Sequence, residues 1–128
     1  MTLVLDSGGV SALAGQRALL HSLRRRDAWP PQVPAVVLAE ALTGDHRRDF
    51  HSNQLLRMCQ VHDIEEGLAR EAATLRTATG RAGSISAVDA IVVALAAALG
   101  DAIVLTTDVD DLAALAAHSP RLVRVSRA

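Results

Sequence analysis

Four acidic residues stand where a carboxylate can do more than solvate a surface. Asp6 closes the aliphatic run T-L-V-L, Glu40 lies in V-L-A-E-A-L, Asp108 follows V-L-T-T, and Asp89 is the only charge in I-S-A-V-D-A-I-V-V-A-L-A-A-A-L. Each also has an ordinary reading. Asp6 fits a helix N-cap, Asp89 lies three residues after Ser86 in an S-x-x-D capping pattern, and Asp108 with Asp111 forms D-x-x-D at another helix start. Glu40 has no cap to make and reads, taken alone, as an exposed helix glutamate. Asp89 is the hardest to dismiss, because the helix it introduces is too apolar to lie on the surface, so its carboxylate sits near a core edge. If Asp6 and Asp108 share that edge, several anions converge, and their repulsion raises their pKa values unless a cation neutralises them. Oxygen donors without His or Cys suit Mg²⁺ or Mn²⁺ rather than zinc, and hard-metal sites of this kind act most often on phosphates.

The surrounding pattern supplies elements to position these acids. Thr2 to Leu5 reads as a strand, and Ser7-Gly8-Gly9 opens a helical pattern with Val10, Leu13, Leu19, Leu20 and Leu23 apolar. Trp29 to Pro34 is an irregular connector, Ala35-Val36-Val37 a short second strand, and Leu38 to Thr43 a helix stopped near Gly44. Arg48 to Met58 is a helix candidate, Gln60 to Ile64 a strand and Glu65 to Ala78 a helix. Ser86 to Leu99, Ala102 to Thr106, Val109 to Ala117 and Leu122 to Val125 then read as helix, strand, helix and strand. Short strands alternating with helices predict an α/β sandwich around a mainly parallel sheet, whose strand C-terminal ends gather on one edge where ligands bind. Asp6 and Asp108 both fall at such junctions.

Composition bounds the answer. The 128 residues suit one domain over 1–128, and half are hydrophobic but almost none aromatic, which favours aliphatic helix-on-sheet packing. The lone Cys59 forms no internal disulfide and reads as a buried structural thiol, and Met1 leads directly into T-L-V-L-D without a charged leader. The expectation is an intracellular, reducing, cytoplasmic location. Ala90 to Leu99 is too short to cross a bilayer, so no membrane association is expected.

The order Asp6 in L-V-L-D-S, Glu40 in V-L-A-E-A-L, Asp89 in I-S-A-V-D-A-I-V-V-A-L-A and Asp108 in V-L-T-T-D-V-D-D-L resembles the PIN domain, and within it the VapC-type toxins of bacterial toxin–antitoxin pairs. The resemblance spans essentially the whole chain. It implies a PIN-like three-layer α/β/α sandwich and a Mg²⁺- or Mn²⁺-dependent endoribonuclease, usually a homodimer, restrained by a small VapB-like antitoxin. Carried onto these positions, it makes Asp6, Glu40, Asp89 and Asp108 the catalytic acids. Asp6, Asp89 and Asp108 would be the metal ligands, and Glu40 would position or deprotonate the attacking water. Asp111 is then best explained as a dipole-favoured residue of the helix first turn and Asp110 as solvated. Ser7, Thr106 and Thr107 are available to hydrogen-bond the carboxylates or a phosphate. The chain departs from the family at D-S-G-G, where two glycines replace bulkier residues and leave a looser turn.

An enzyme acting on RNA needs cations beside its acids. All 13 basic residues are arginine, against a net charge of −1. Arg81, between Gly80 and Gly83, and Arg47-Arg48 after the Glu40 helix are the candidate RNA contacts, although arginine runs are more often solvated faces. With only Trp29 and Phe50 as aromatics, base stacking is not evident, so substrate choice would rest on RNA shape. The five histidines show no metal-ligand spacing, and no serine or cysteine nucleophile motif is present. A different class remains open, a non-catalytic interaction protein on the same fold whose acids cap helices or hold a structural metal. A phosphatase with an aspartyl nucleophile fits less well, since Asp6-Ser7-Gly8 lacks the second acid and the chain has no lysine.

Overall fold

The computed structural model describes all 128 residues. Five short strands, β1 (Thr2–Leu5), β2 (Gln32–Pro34), β3 (Gln60–His62), β4 (Ala102–Thr106) and β5 (Val123–Arg127), form one sheet in the order β3-β2-β1-β4-β5. Every pairing is parallel, with Thr2 opposite Ala102 and Leu5 opposite Leu105 at the centre. The connections are therefore crossovers through helices: α1 (Ser7–Gly15), α2 (Arg17–Arg24), α3 (Leu38–Ala41), α4 (Phe50–Leu56), α5 (Glu66–Ala78), α6 (Ala87–Leu99) and α7 (Val109–Ala116). Parallel strands are buried on both faces and so read as continuous aliphatic runs, which is the pattern of β1 and β4. Helix α6 crosses β1, β2, β4 and β5 and packs on α5 and α7. On the other side α1 lies against β1 and β4 and meets α3 and α4. The result is the anticipated α/β/α sandwich.

Val4, Leu5, Val33 and Val104 from the sheet meet Val10 and Leu13 of α1 on one face and Val92, Val93 and Ala96 of α6 on the other, all fully buried or nearly so. Alanine on α6 lets the helix axis approach the sheet closely, which explains how a chain with one Phe and one Trp fills its core. No helix is long and apolar enough to cross a membrane.

Three local expectations are corrected. The second strand is Gln32–Pro34, inside the segment read as a connector, and Ala35–Val37 is a 3₁₀ turn leading straight into α3. Three prolines, Pro30, Pro31 and Pro34, obscured that strand, yet the first two precede it and Pro34 is its last residue, where the chain is already leaving the ladder. The first helical pattern is two helices broken at Gly15-Gln16, where Gln16 has non-helical backbone angles. Cys59 is half-buried rather than buried, and desolvation still pushes its thiol up to about 12, so it is an inert thiol.

Candidate functional site

The strand order reverses between β1 and β4, whose carboxyl ends lie side by side. A crevice forms at such a switch point because the crossovers leaving the two strands depart to opposite sides. Asp6 directly follows β1, and Asp108 follows β4 by two residues.

Asp6 is 5% exposed, and its carboxylate is fixed at both oxygens. The Gly9 N–H donates to Oδ1 at 2.8 Å, which makes Asp6 the N-cap of α1, and the fully buried Thr106 hydroxyl donates to Oδ2. The Asp108 N–H in turn donates to Thr106 Oγ1 at 2.9 Å. Thr106 thereby ties the end of β4 to the end of β1. The capping reading of Asp6 is correct and does not exhaust the residue, since a carboxylate has about four acceptor sites and two remain.

The glycines after Asp6 do not loosen the turn. Both lie in the first turn of α1, which runs hard against β4. A Cβ on Gly9 would collide with the Leu105 carbonyl, and one on Gly8 with the Thr107 hydroxyl while standing 2.9 Å from its backbone nitrogen. The missing side chains let α1 close on β4, so the departure from the family pattern tightens the site.

Asp89 is the third residue of α6, and its N–H donates to Ser86 Oγ at 3.0 Å in the anticipated S-x-x-D cap. Its carboxyl is half-buried, and its pKa is pushed up to about 6. Burial is the main cause, followed by the charges of Asp6 and Asp108 and, more weakly, Glu40, against an opposing hydrogen bond from Ser86. The other three acids anticipated from the sequence, Asp6, Asp108 and Glu40, thus act electrostatically on Asp89. Glu40, on α3, is exposed and lines a cleft with Ser7, Gly8, Ser11, Gln16 and Thr107.

Asp111 lies in the first turn of α7, where the dipole-favoured reading puts it, and it also joins the acidic group. One carboxylate oxygen each of Asp89, Asp108 and Asp111 lies within 4.8 Å of the others. Asp111 comes one helical turn after Asp108, so the start of α7 places both over the crevice, and Asp108 is the helix N-cap by position without a side-chain capping bond. Asp110 is exposed and unpaired, as a solvated residue should be. Arg81, a candidate RNA contact, instead forms an ion pair with Asp111 at 2.7 Å. Arg47 and Arg48 are exposed in the turn after α3.

Asp49 has a role that the sequence reading missed. It is 5% exposed and outside the acidic group. Its Oδ1 accepts from the Thr43 N–H and hydroxyl, both at 2.9 Å, and its Oδ2 from the Gly44 N–H at 2.8 Å. The backbone hydrogen bond from Thr43 is the largest cause holding its carboxyl below the usual range, with smaller help from the Thr43 hydroxyl, Gly44 and Arg48. Asp49 anchors the turn that ends α3 through Thr43 and Gly44, three and four residues beyond Glu40. The T-G-D cluster was the available signal, because such residues favour tight turns with side-chain-to-backbone bonds.

The donor set fits a hard divalent cation. Every candidate ligand atom is a carboxylate oxygen, and burial together with the neighbouring charges raises the Asp89 carboxyl to about 6, a cost of ionisation that a bound cation would relieve.

The family model for the PIN domain matches residues 10–117. That span contains Glu40, Asp89, Asp108 and Asp111, while Asp6 precedes it. Among curated proteins, sequence comparison found no match. Solved structures are similar in fold. A chain of DNA-bound VapBC from Salmonella typhimurium superposes with a TM-score of 0.69 at 14% identity, covering 99% of this chain and 98% of that one. For VapBC2 from Rickettsia felis bound to a promoter DNA fragment, the values are 0.71, 16%, 100% and 99%. For FitAcB from Neisseria gonorrhoeae they are 0.65, 18%, 95% and 96%.

Proposed function

The chain belongs to the PIN-domain family, and on that premise we propose that it is a Mg²⁺- or Mn²⁺-dependent endoribonuclease, the toxic member of a toxin–antitoxin pair. The observation that carries this reading is the gathering of Asp89, Asp108 and Asp111 within 4.8 Å at the sheet switch point, beside a buried Asp6. The likeness to chains of VapBC complexes adds a small antitoxin protein as partner. A homodimer follows from the family resemblance alone.

Asp89, Asp108 and Asp111 would hold the cation, with Asp6 supplying the charge behind them. A hard divalent ion contributes Lewis acidity there, making water acidic enough to attack at neutral pH and offsetting the phosphate's charge. The remaining work falls to the chain. Thr106 and Gly9 pin Asp6, so its free lone pairs keep one direction. Glu40, exposed on the cleft, takes the proton of the attacking water as the new P–O bond forms in line with the breaking one, and the departing oxygen is protonated from solvent. Ser7 and Ser11 on the cleft wall offer hydroxyl donors to the phosphate oxygens. Because water is the nucleophile, the 2′-hydroxyl of the cleaved nucleotide takes no part, and no 2′,3′-cyclic phosphate is produced.

The physiological reading is tested by inducing the chain in bacteria without a partner. Growth arrest with RNA fragmentation, both abolished by Asp89→Asn and both relieved by co-expressing the protein encoded beside it, is the expected result. Growth unaffected by abundant folded protein would contradict the toxin assignment.

A further inference from the structure

The strongest charge feature outside the acidic crevice is helix α2. It carries no acidic residue, and Arg17, His21 and Arg25 follow one another at four-residue intervals on its exposed flank. Its three leucines turn inward, with Leu23 buried. A depression on this flank is lined by Ala18, His21, Ser22, Arg25 and Arg26. The depression therefore offers the Ser22 hydroxyl and two guanidinium groups, the donor set of a phosphate seat.

The arginines divide into those already engaged within the fold and those left free. Arg70, Arg81 and Arg124 are ion-paired, and Arg76, Arg121 and Arg127 bond main-chain carbonyls. Arg24 is drawn over the Trp29 ring, 5.1 Å from its centre, and toward the Met58 sulfur. Arg17, Arg25 and Arg26 have no side-chain partner of either kind, as is also true of Arg47, Arg48 and Arg57, but those three lie outside this helix and its depression. In a chain of net charge −1, three unpaired cations concentrated within ten residues are not a neutral surface.

Continuity with the cleft decides what this surface fits. Gln16, the N-cap of α2, lines the same cleft as Glu40 and as Ser7 and Thr107, the chain neighbours of Asp6 and Asp108, so the helix starts at the cleft beside the acidic group and carries its cations onward from there. Four residues of α-helix rise about 6 Å, comparable to the step between successive phosphates of a nucleic-acid strand. An RNA with its scissile phosphate at the carboxylates can therefore lay its flanking phosphates along Arg17, His21 and Arg25.

We infer that the exposed face of α2, with the depression formed by Ala18, His21, Ser22, Arg25 and Arg26, is the track that binds the RNA backbone beside the cleavage site. The inference rests on the nuclease reading, and its test is separable from it. Binding of a fluorescently labelled single-stranded RNA, long enough to reach from the cleft past Arg26, is measured by anisotropy in EDTA over a range of salt concentrations. Each lost phosphate contact flattens the slope of log affinity against log salt by about 0.7. Arg25→Gln/Arg26→Gln should thus flatten it by about 1.4, with weaker binding at low salt, and Arg25→Lys/Arg26→Lys should restore it. A slope unchanged in the glutamine variant overturns the inference even if the wild-type chain cleaves RNA. A slope that falls as stated upholds it even if the wild-type chain cleaves none, in which case only the nuclease reading fails. Loss of affinity for an oligoglutamate peptide with the RNA slope intact would assign the face to an acidic protein segment and overturn it too.

Discussion

Asp89 concentrates the electrostatics of the site in one side chain. Its pKa of about 6 in the fold, against 3.8 ordinarily, means that the folded protein binds this proton more tightly than the open chain does. The favourable contribution is therefore complete below the ordinary value and is lost as pH rises through about 6. In metal-free protein, thermal melts should show wild type gaining on Asp89→Asn as pH is lowered from about 7.5 to about 4.5; a difference independent of pH would contradict the crowding of charge. Arg81 makes a second prediction at this scale. Its partly exposed pair with Asp111 competes with a cation for the same carboxylate, and such pairs contribute up to about 1 kcal/mol. Arg81→Ala should then tighten Mn²⁺ binding by up to about fivefold in a calorimetric titration, and weaker binding would sink the competition. The roles of the acids were legible to different degrees. Asp6, Glu40, Asp89 and Asp108 stand out because each ends or interrupts an apolar run. Asp111 lies in a D-x-x-D pattern that helix capping explains equally well, and only its distance to Asp89 and Asp108 separates the two readings.

Elements hold these side chains to a common edge, and two contacts show how. Gly9 lets α1 seat against β4, so Gly9→Ala forces a Cβ into the Leu105 carbonyl. Overpacking of this kind costs about 1–3 kcal/mol, and a lowered melting temperature with lost cleavage is the expected outcome; unaltered stability would mean that α1 is free to shift. Asp49 does for α3 what Gly9 does for α1. Its carboxylate, held below the usual range by the Thr43 and Gly44 donors, stabilises the turn above the ordinary carboxylate pKa, and that support is lost as pH falls through its depressed value. Asp49→Asn should lower kcat through displacement of Glu40 and reduce the loss of stability below about pH 4, measured by kinetics and acid melts; an unchanged kcat would separate the turn from catalysis. The element pattern was readable where periodicity was long, as in α5, α6 and β4. It failed at Gln32–Pro34, a three-residue strand that ends on a proline and follows two more, a residue type that sequence rules keep out of ladders. The closeness of Gly8 and Gly9 to β4 was also hidden, because a packing distance between segments a hundred residues apart leaves no local mark.

At the scale of the molecule, the sheet order β3-β2-β1-β4-β5 converts four acids spread from residue 6 to residue 108 into one crevice. Alternating strands and helices made the parallel sheet predictable, whereas the adjacency of β1 and β4, on which the site depends, is a pairing between segments distant in sequence. The central claim is that this crevice hydrolyses RNA with a divalent cation, and a cleavage assay with end-labelled RNA tests it directly. Purified wild-type protein should cut RNA in Mg²⁺ or Mn²⁺, stop in excess EDTA, and leave no 2′,3′-cyclic phosphate, while folded Asp89→Asn should be inactive under every condition. Cleavage that persists in EDTA or in folded Asp89→Asn, or no cleavage by wild type with either metal, would contradict it.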